Sequence, residues 1–375
     1  MLVYIIIYGV AFLTMFLDND KLPFKTKKNV LIFLVIMFTI FFGIRWNTGT
    51  DWIAYHEYFL AAKWSNIFSL SRGYGQQTLE PGFVFMMLIP KTLFNDYTFY
   101  LIVSNLLRFA LFAFVSMRLS RYPIVTFIFL VTAVLLFPTR IPYAYAFFIF
   151  GYIFVIERNL KGFLLLWALT SLIHSSAVIL FPLYFLYNKK IPIPVQIVTY
   201  AISFLFANQI TGLLADLIPA LLVDSDMEAT LDSALVTDFS EKVENYTQYS
   251  TGAVEGKSTI SYIVEFVSLM IANFVRFRIG NKITPEEKRD LDFFICCYFI
   301  SLVLKNLFSE NMYHLQRYKN YFDALPFIVP FFLVHFRKMR LVVIIIFVAF
   351  VYYRLDKQIL HGTWADLFIP YKTFF

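Results

Sequence analysis

Residues 29–51 read NVLIFLVIMFTIFFGIRWNTGTD, and the change of character at Arg45 decides how the chain is read. The uncharged run 29–44 follows Lys21, Lys25, Lys27 and Lys28, so it is a membrane span entered from a basic, cytoplasmic side. Beyond it, residues 45–83 form a polar island in which Arg45, Asp51, His56, Glu57, Arg72 and Glu80 sit among aromatics. Ionisable groups within a turn or two of hydrocarbon-length helices are costly and tend to be functional.

The composition extends this reading to the whole chain. Of 375 residues, 59% are hydrophobic, 20% aromatic and 15% charged, whereas a soluble domain carries about a quarter charged residues. The net charge of +7 is no nucleic-acid signal, because most Lys and Arg fall in short clusters between apolar runs. Cys296 and Cys297 are adjacent inside an apolar run, and no CxxC or His/Cys spacing occurs, so neither a disulfide framework nor a metal site is expected. No cofactor is expected either. The first run, 2–17, lacks a basic leader and a small-residue cleavage site and reads as a span.

Further spans fall at 97–117, 123–137, 143–156, 192–207, 258–276, 291–307, 321–335 and 341–353. The segment 82–94 is too short to cross comfortably and reads as a half-helix or an interfacial helix. Pro138 and Pro142 flank Arg140, so a helix ends there. Residues 162–187 have basic residues on both sides, Lys161 and Lys189-Lys190. They read as a re-entrant hairpin with His174-Ser175-Ser176 at its tip, which is tolerated where protein buries it. The alternative, one long helix with His174 near the bilayer centre, inverts everything downstream; with the hairpin the later basic clusters all fall inside. The acidic stretch 208–257 is then the main external loop, and the C-terminal tail is external too. The expected fold is an all-α polytopic integral membrane protein, a single domain over 1–375, with about 10–12 transmembrane helices plus short re-entrant or interfacial ones.

On this topology Arg45, Asp51, Glu80, Arg140, His174 and Arg317 all emerge on the external side. Arginines such as Arg45, Arg140 and Arg317 grip phosphate oxygens with paired hydrogen bonds. Asp51, Glu80 or His174 can take a proton from a hydroxyl, His174 foremost because a histidine is neutral near physiological pH. Trp46, Trp52 and Tyr55 offer stacking surfaces for sugar rings. Together these groups suit glycosyl transfer from a lipid pyrophosphate, whose departure needs positive charge. Plainer readings stand beside each role. Arg45 and Asp51 can pair as a helix end, Glu80 can serve a helix dipole, and Arg140 can snorkel. His174 can be satisfied by backbone, Arg317 can be a solvated loop charge, and the acidic residues 224–244 can be a solvated face. His56 with Glu57 is a weaker candidate.

The run Arg45-Trp46-Asn47-Thr48-Gly49-Thr50-Asp51-Trp52-Ile53-Ala54-Tyr55 resembles the R-[YW]-x-x-G-x-D-[YW]-x-x-Y motif of the EpsG-like branch of the Wzy polysaccharide polymerases. Phe59 and Glu80-Pro81-Gly82-Phe83 continue the likeness. Arg140 resembles the family's helix-opening arginine, His174-Ser175-Ser176-Ala177 its H-x-S-A element, and Arg317 with Tyr321-Phe322 its late R-x-x-x-Y-F. The chain departs from the pattern after Arg140, where Ile141-Pro142 stands in place of a frequent glutamine. The resemblance implies a GT-C-like membrane glycosyltransferase, an O-antigen or capsule polymerase of the bacterial inner membrane that needs no metal. It would join undecaprenyl-pyrophosphate-linked oligosaccharides on the periplasmic side, alongside a flippase and a chain-length regulator. Arg140 and Arg317, helped by Arg45, would hold the pyrophosphate, and His174, Asp51 or Glu80 would be the base. The competing readings are a lipid-linked oligosaccharide flippase or other transporter, and an O-antigen ligase. A transporter places charges at the midplane between repeated halves. Here they gather on one face, without an internal repeat.

Overall fold

A computed structural model of the chain describes residues 2–49, 51–71, 78–133, 140–207, 209–210, 259–279, 282–308, 318–359 and 365–374. Arg317 and almost all of the loop expected over 208–257 lie outside the described residues. The described residues are helical, joined by turns and two isolated bridges. They fall into two compact units, Met1–Tyr187 with Pro326–Phe375 and Asn188–Leu325.

In the first unit, α1 (Leu2–Met15), α2 (Phe24–Gly43), α5 (Tyr97–Leu119), α6 (Pro123–Ala133) and α7 (Arg140–Ile156) carry the packing. Among the described residues, α2 and α5 are long and apolar enough to cross a membrane. Phe38 and Phe42 of α2 meet Phe109 of α5 at ring distances of 5.6 and 5.3 Å. Asp96 caps α5 by accepting from the Phe99 N–H at 2.7 Å, satisfying a donor that the helix itself leaves orphaned. Between these helices lie α3 (Trp52–Ala61) and α4 (Pro81–Phe94). At 14 residues, α4 is too short to span at about 1.5 Å per residue, as the sequence suggests.

The segment after α8 (Leu160–Ile173) folds back on it, as in the hairpin reading of 162–187 and not as one long helix. Trp167 Nε1 of α8 donates to the carbonyls of Ala177 and Val178 at 3.1 and 3.2 Å. Farther along, the Tyr184 hydroxyl donates to the Arg158 carbonyl at 2.8 Å, and Arg158 donates to the Tyr184 carbonyl at 2.9 Å. The returning arm is a 3-10 stretch, Ser175–Leu180, followed by the short α9 (Leu183–Leu186), and His174 stands at the turn.

The second unit contains α10 (Ile193–Leu205), α11 (Thr259–Arg278), α12 (Pro285–Leu307) and α13 (Tyr318–Phe322). Its polar groups face inward. Asn273 Nδ2 donates to Gln196 Oε1 at 2.8 Å, Ser268 Oγ and the Tyr298 hydroxyl lie 2.6 Å apart, and Lys305 Nζ is 2.5 Å from Glu265 Oε2. Outward, α11 exposes Ile263, Val264, Val267, Ile271, Phe274 and Phe277. Polar inside and apolar outside is the inverse of a soluble helix, and interhelical hydrogen bonds between small polar groups are the adhesive of membrane helices. Leu13 and Ile346 of the first unit are also more than half exposed. Apolar exteriors on this scale belong to a membrane protein. The remaining helices are α14 (Leu325–His335) and α15 (Arg340–Ile359).

Candidate active site

The first turn of α4 sets the geometry. Pro81 occupies the opening helical position, where its missing N–H costs nothing. At Gly82, a Cβ would stand 2.7 Å from the Leu172 carbonyl oxygen, so only glycine lets α4 lie this close to the end of α8. That approach delivers Glu80 to the hairpin tip. Its Oε1 accepts from the Ser175 N–H at 3.1 Å and the Ser175 hydroxyl at 3.2 Å. Its Oε2 lies 2.6 Å from Arg140 Nη1, in a pair whose side chains are 13% and 10% exposed. Glu80 holds the N-cap position of α4 but makes no capping bond, and Arg140 pairs in the interior instead of snorkelling. Arg140 Nε is buried with no hydrogen-bond partner among the described residues.

His174 is buried beside this pair, and its Nδ1 accepts from the Ser176 N–H at 3.2 Å. An acceptor of a backbone N–H carries no proton of its own, so the Ser176 hydroxyl, 2.6 Å from the same nitrogen, donates to it. The neutral ring therefore has its proton on Nε2.

The first motif forms a loop held by the C-terminal tail. The Trp46 N–H donates to the Lys372 carbonyl at 2.9 Å, the Gly49 N–H to the Leu367 carbonyl at 2.8 Å, and the Phe374 N–H to the Ile44 carbonyl at 3.3 Å. Gly49, at φ 102°, adopts the left-handed conformation that glycine tolerates. Arg45 is 2% exposed and its Nη1 donates to the Thr48 carbonyl at 2.6 Å. Burial lowers the Arg45 guanidinium from its ordinary value, while the phenols of Tyr97, Tyr143, Tyr371 and Tyr4 pull it back.

Three of the predicted residues, Arg45, Asp51 and Tyr55, lie within electrostatic reach of Tyr97, as does Tyr143. Asp51 is half-buried at the start of α3 and makes no capping bond. Tyr55 packs edge-on against Phe83 at 5.6 Å, which joins the first motif to the Glu80 turn. The three candidate stacking residues differ. Trp46 is 41% exposed, whereas Trp52 is 4% exposed and lies between His56 and Tyr97 with its Nε1 donating to the Arg45 carbonyl.

A polar seam that the sequence reading passed over runs deeper. Tyr143, one turn below Arg140, has its hydroxyl 2.9 Å from Ser104 Oγ of α5, and Arg108 follows one turn further along α5. The available signal was a single charge inside the run 97–117, the situation in which an intramembrane ionisable group stands out.

No curated protein and no solved structure matches the chain. The model of the EpsG family matches residues 28–373, through both units and through the C-terminal tail that holds the first motif. The chain belongs to the EpsG family, whose members are Wzy-like polymerases.

Proposed function

We propose that this chain is a multi-pass glycosyltransferase of the bacterial inner membrane, polymerising O-antigen or capsule repeat units at the periplasmic face. Its substrates are undecaprenyl-pyrophosphate-linked oligosaccharides, and its fold is of the GT-C kind. The observation that carries the reading is the buried Glu80–Arg140 pair, anchored on Ser175 at the tip of the hairpin that bears His174. In support of the reading, a guanidinium and a carboxylate are paired next to the turn that carries the imidazole.

In the transfer, an acceptor hydroxyl oxygen bonds to the anomeric carbon of the donor sugar as the bond from that carbon to the pyrophosphate breaks. The electron pair leaves on undecaprenyl pyrophosphate, whose growing charge Arg140 and Arg317 receive. Arg45 adds positive charge from beneath and holds the motif loop in shape. The acceptor proton passes to His174 through the Ser176 hydroxyl, with Glu80 and Asp51 as the carboxylates that orient the acceptor or take the proton in its place. Trp46 presents an open ring face to the glycan with Trp52 as its support, and Tyr55 adds a second ring from α3. A flippase would supply the donor and a chain-length regulator would end growth.

Arg140→Ala and Arg317→Ala should each lower turnover about 10²–10³-fold, the scale of losing one preorganised donor to a developing anion. Expression should stay intact while cells make only single-repeat capped lipopolysaccharide. Full-length chains from both variants would remove these roles. With purified donor and acceptor in vesicles, chain growth supports the polymerase, transfer to lipid A core marks a ligase, and no bond formed marks a transporter.

A further inference from the structure

Arg108 lies at the middle of α5, a helix of 23 residues that is otherwise apolar enough to span a bilayer, and it is 2% exposed. Its guanidinium carbon stands over three rings, 4.8 Å from the centroid of Phe109, 5.3 Å from Phe42 and 5.7 Å from Phe112. Beyond the rings, Tyr143, Tyr8, Arg45 and Tyr145 lie within its electrostatic reach. Such a residue is expensive to keep in a membrane helix. Three stacked rings offset part of that cost by cation–π attraction, but a Leu or Met would pack there without any cost of desolvation. The position is also specific. Arg108 follows Ser104 by one turn, Ser104 meets the Tyr143 hydroxyl, and Tyr143 follows Arg140 by one turn. Counting about 1.5 Å per residue along these two helices puts the charge roughly 10 Å below Arg140.

We propose that Arg108 is a positioning residue for the transfer, a fixed positive charge beneath the site that draws the anionic diphosphate of the donor toward Arg140 and favours its departure. The inference rests on the glycosyltransferase reading and adds to it a residue outside the family motifs quoted above. Arginine suits the task because its charge persists when buried and its flat face stacks on the rings. At about 10 Å and an effective dielectric of about 20, one unit of charge changes the stability of a developing anion by a factor of roughly 15.

The test uses the full chain in vesicles with a polyprenyl-diphosphate oligosaccharide donor, with kcat and KM read separately and melting temperature in detergent as the control for folding. Arg108→Met should lose roughly 15-fold in kcat. Arg108→Lys, which keeps the charge, should stay within about threefold of wild type. Turnover of Arg108→Met at the wild-type level overturns the proposal. So does an equal loss in both variants at an unchanged melting temperature, since shape rather than charge would then be at stake. If Arg108→Met does not fold, the pH profile of Arg108→Lys decides, because a buried ammonium gives up its proton far more readily than a guanidinium. An alkaline loss of activity absent from wild type supports the proposal, and a profile superimposable on wild type overturns it. Failure of the underlying reading looks different: wild type itself then forms no glycosidic bond.

Discussion

Two buried ion pairs in the first unit, Asp18–Lys27 and Glu80–Arg140, are built alike and finished differently. Asp18 is fully buried between α1 and α2, with Oδ1 2.9 Å from Lys27 Nζ. Its Oδ2 accepts from the Ile124 and Val125 N–H groups at 2.8 and 3.1 Å, at the positive end of α6, and Lys27 donates onward to the Arg121 carbonyl at 2.9 Å. This pair spends its hydrogen bonds on backbone, so it ties three elements together and offers little to a ligand. Glu80 and Arg140 bond instead to each other and to a hairpin tip, and Arg140 keeps a buried donor without a described partner. A pair in which both partners also grip backbone is a lock; a pair that keeps a buried cationic donor in hand can serve as a site.

The sharpest way to break the comparison is to remove one partner from the lock. Lys27→Met leaves a buried carboxylate alone and should cost about 3–5 kcal/mol, while activity falls only with the folded fraction. Burial already raises the Asp18 carboxyl above its ordinary range, against the pull of Lys27 and the two N–H groups. A raised group contributes stability fully below the unfolded pKa and loses it as pH rises through the folded value. The Lys27→Met defect should therefore be largest at pH 8 and shrink as the buffer is acidified through the raised Asp18 pKa, which thermal melts across that range would reveal. A defect that grows on acidification would mean Asp18 is not the group left unpaired.

Glu80→Gln probes the other pair. It keeps the size and one acceptor but removes the charge opposite Arg140. Turnover should fall about 10²–10³-fold, with a stability change within about 1–3 kcal/mol, the cost of a weakened buried hydrogen bond. Should melting drop as far as in Lys27→Met while turnover per folded molecule holds, Glu80–Arg140 is a second lock.

Gly82→Ala sits between these outcomes. The added methyl meets the Leu172 backbone, which cannot swing aside like a side-chain tip, so α4 must move away from α8. Overpacking of this kind costs about 1–3 kcal/mol. It should also loosen the Glu80–Ser175 contact, so turnover of folded protein should fall along with stability. A variant that melts lower but turns over normally would show that this close approach serves packing alone.

How much of this was legible beforehand depends on where the information sits. Apolar helices announce themselves because many residues share one physical requirement, and the hairpin at His174 followed from Lys161 and Lys189-Lys190 taken together with the later basic clusters that it keeps on one side. Glu80, Arg140 and His174 were legible as types in a pattern, but their meeting depends on Gly82, whose role is an absence of atoms. Trp52 could not be told from Trp46, because one is 4% and the other 41% exposed on neighbouring turns of the same motif. Arg108 was lost to averaging, since a long apolar run absorbs a single charge. The tail was the least legible, since its bonds to residues 44–49 run through backbone groups more than 300 positions away, and backbone carries no sequence signature.

That tail supplies the mildest test. Besides its backbone bonds to the first motif, it is held to α1 by the Tyr4 hydroxyl, which donates to the Phe368 carbonyl at 3.0 Å, and to α2 by Tyr371, which stacks on Phe41 at 5.1 Å. Tyr4→Phe removes one tether of several and leaves the ring contacts of Tyr4 with Phe41 and Tyr371 in place. The expected cost is about 0.5–1.5 kcal/mol, the net worth of one buried hydrogen bond. Because Arg45 and Thr48 lie under the tail, a small drop in turnover should accompany it, well short of the loss in Glu80→Gln. If Tyr4→Phe instead matched Glu80→Gln in turnover at an unchanged melting temperature, the distinction between lock and site would have to be redrawn, with the tail on the side of the site.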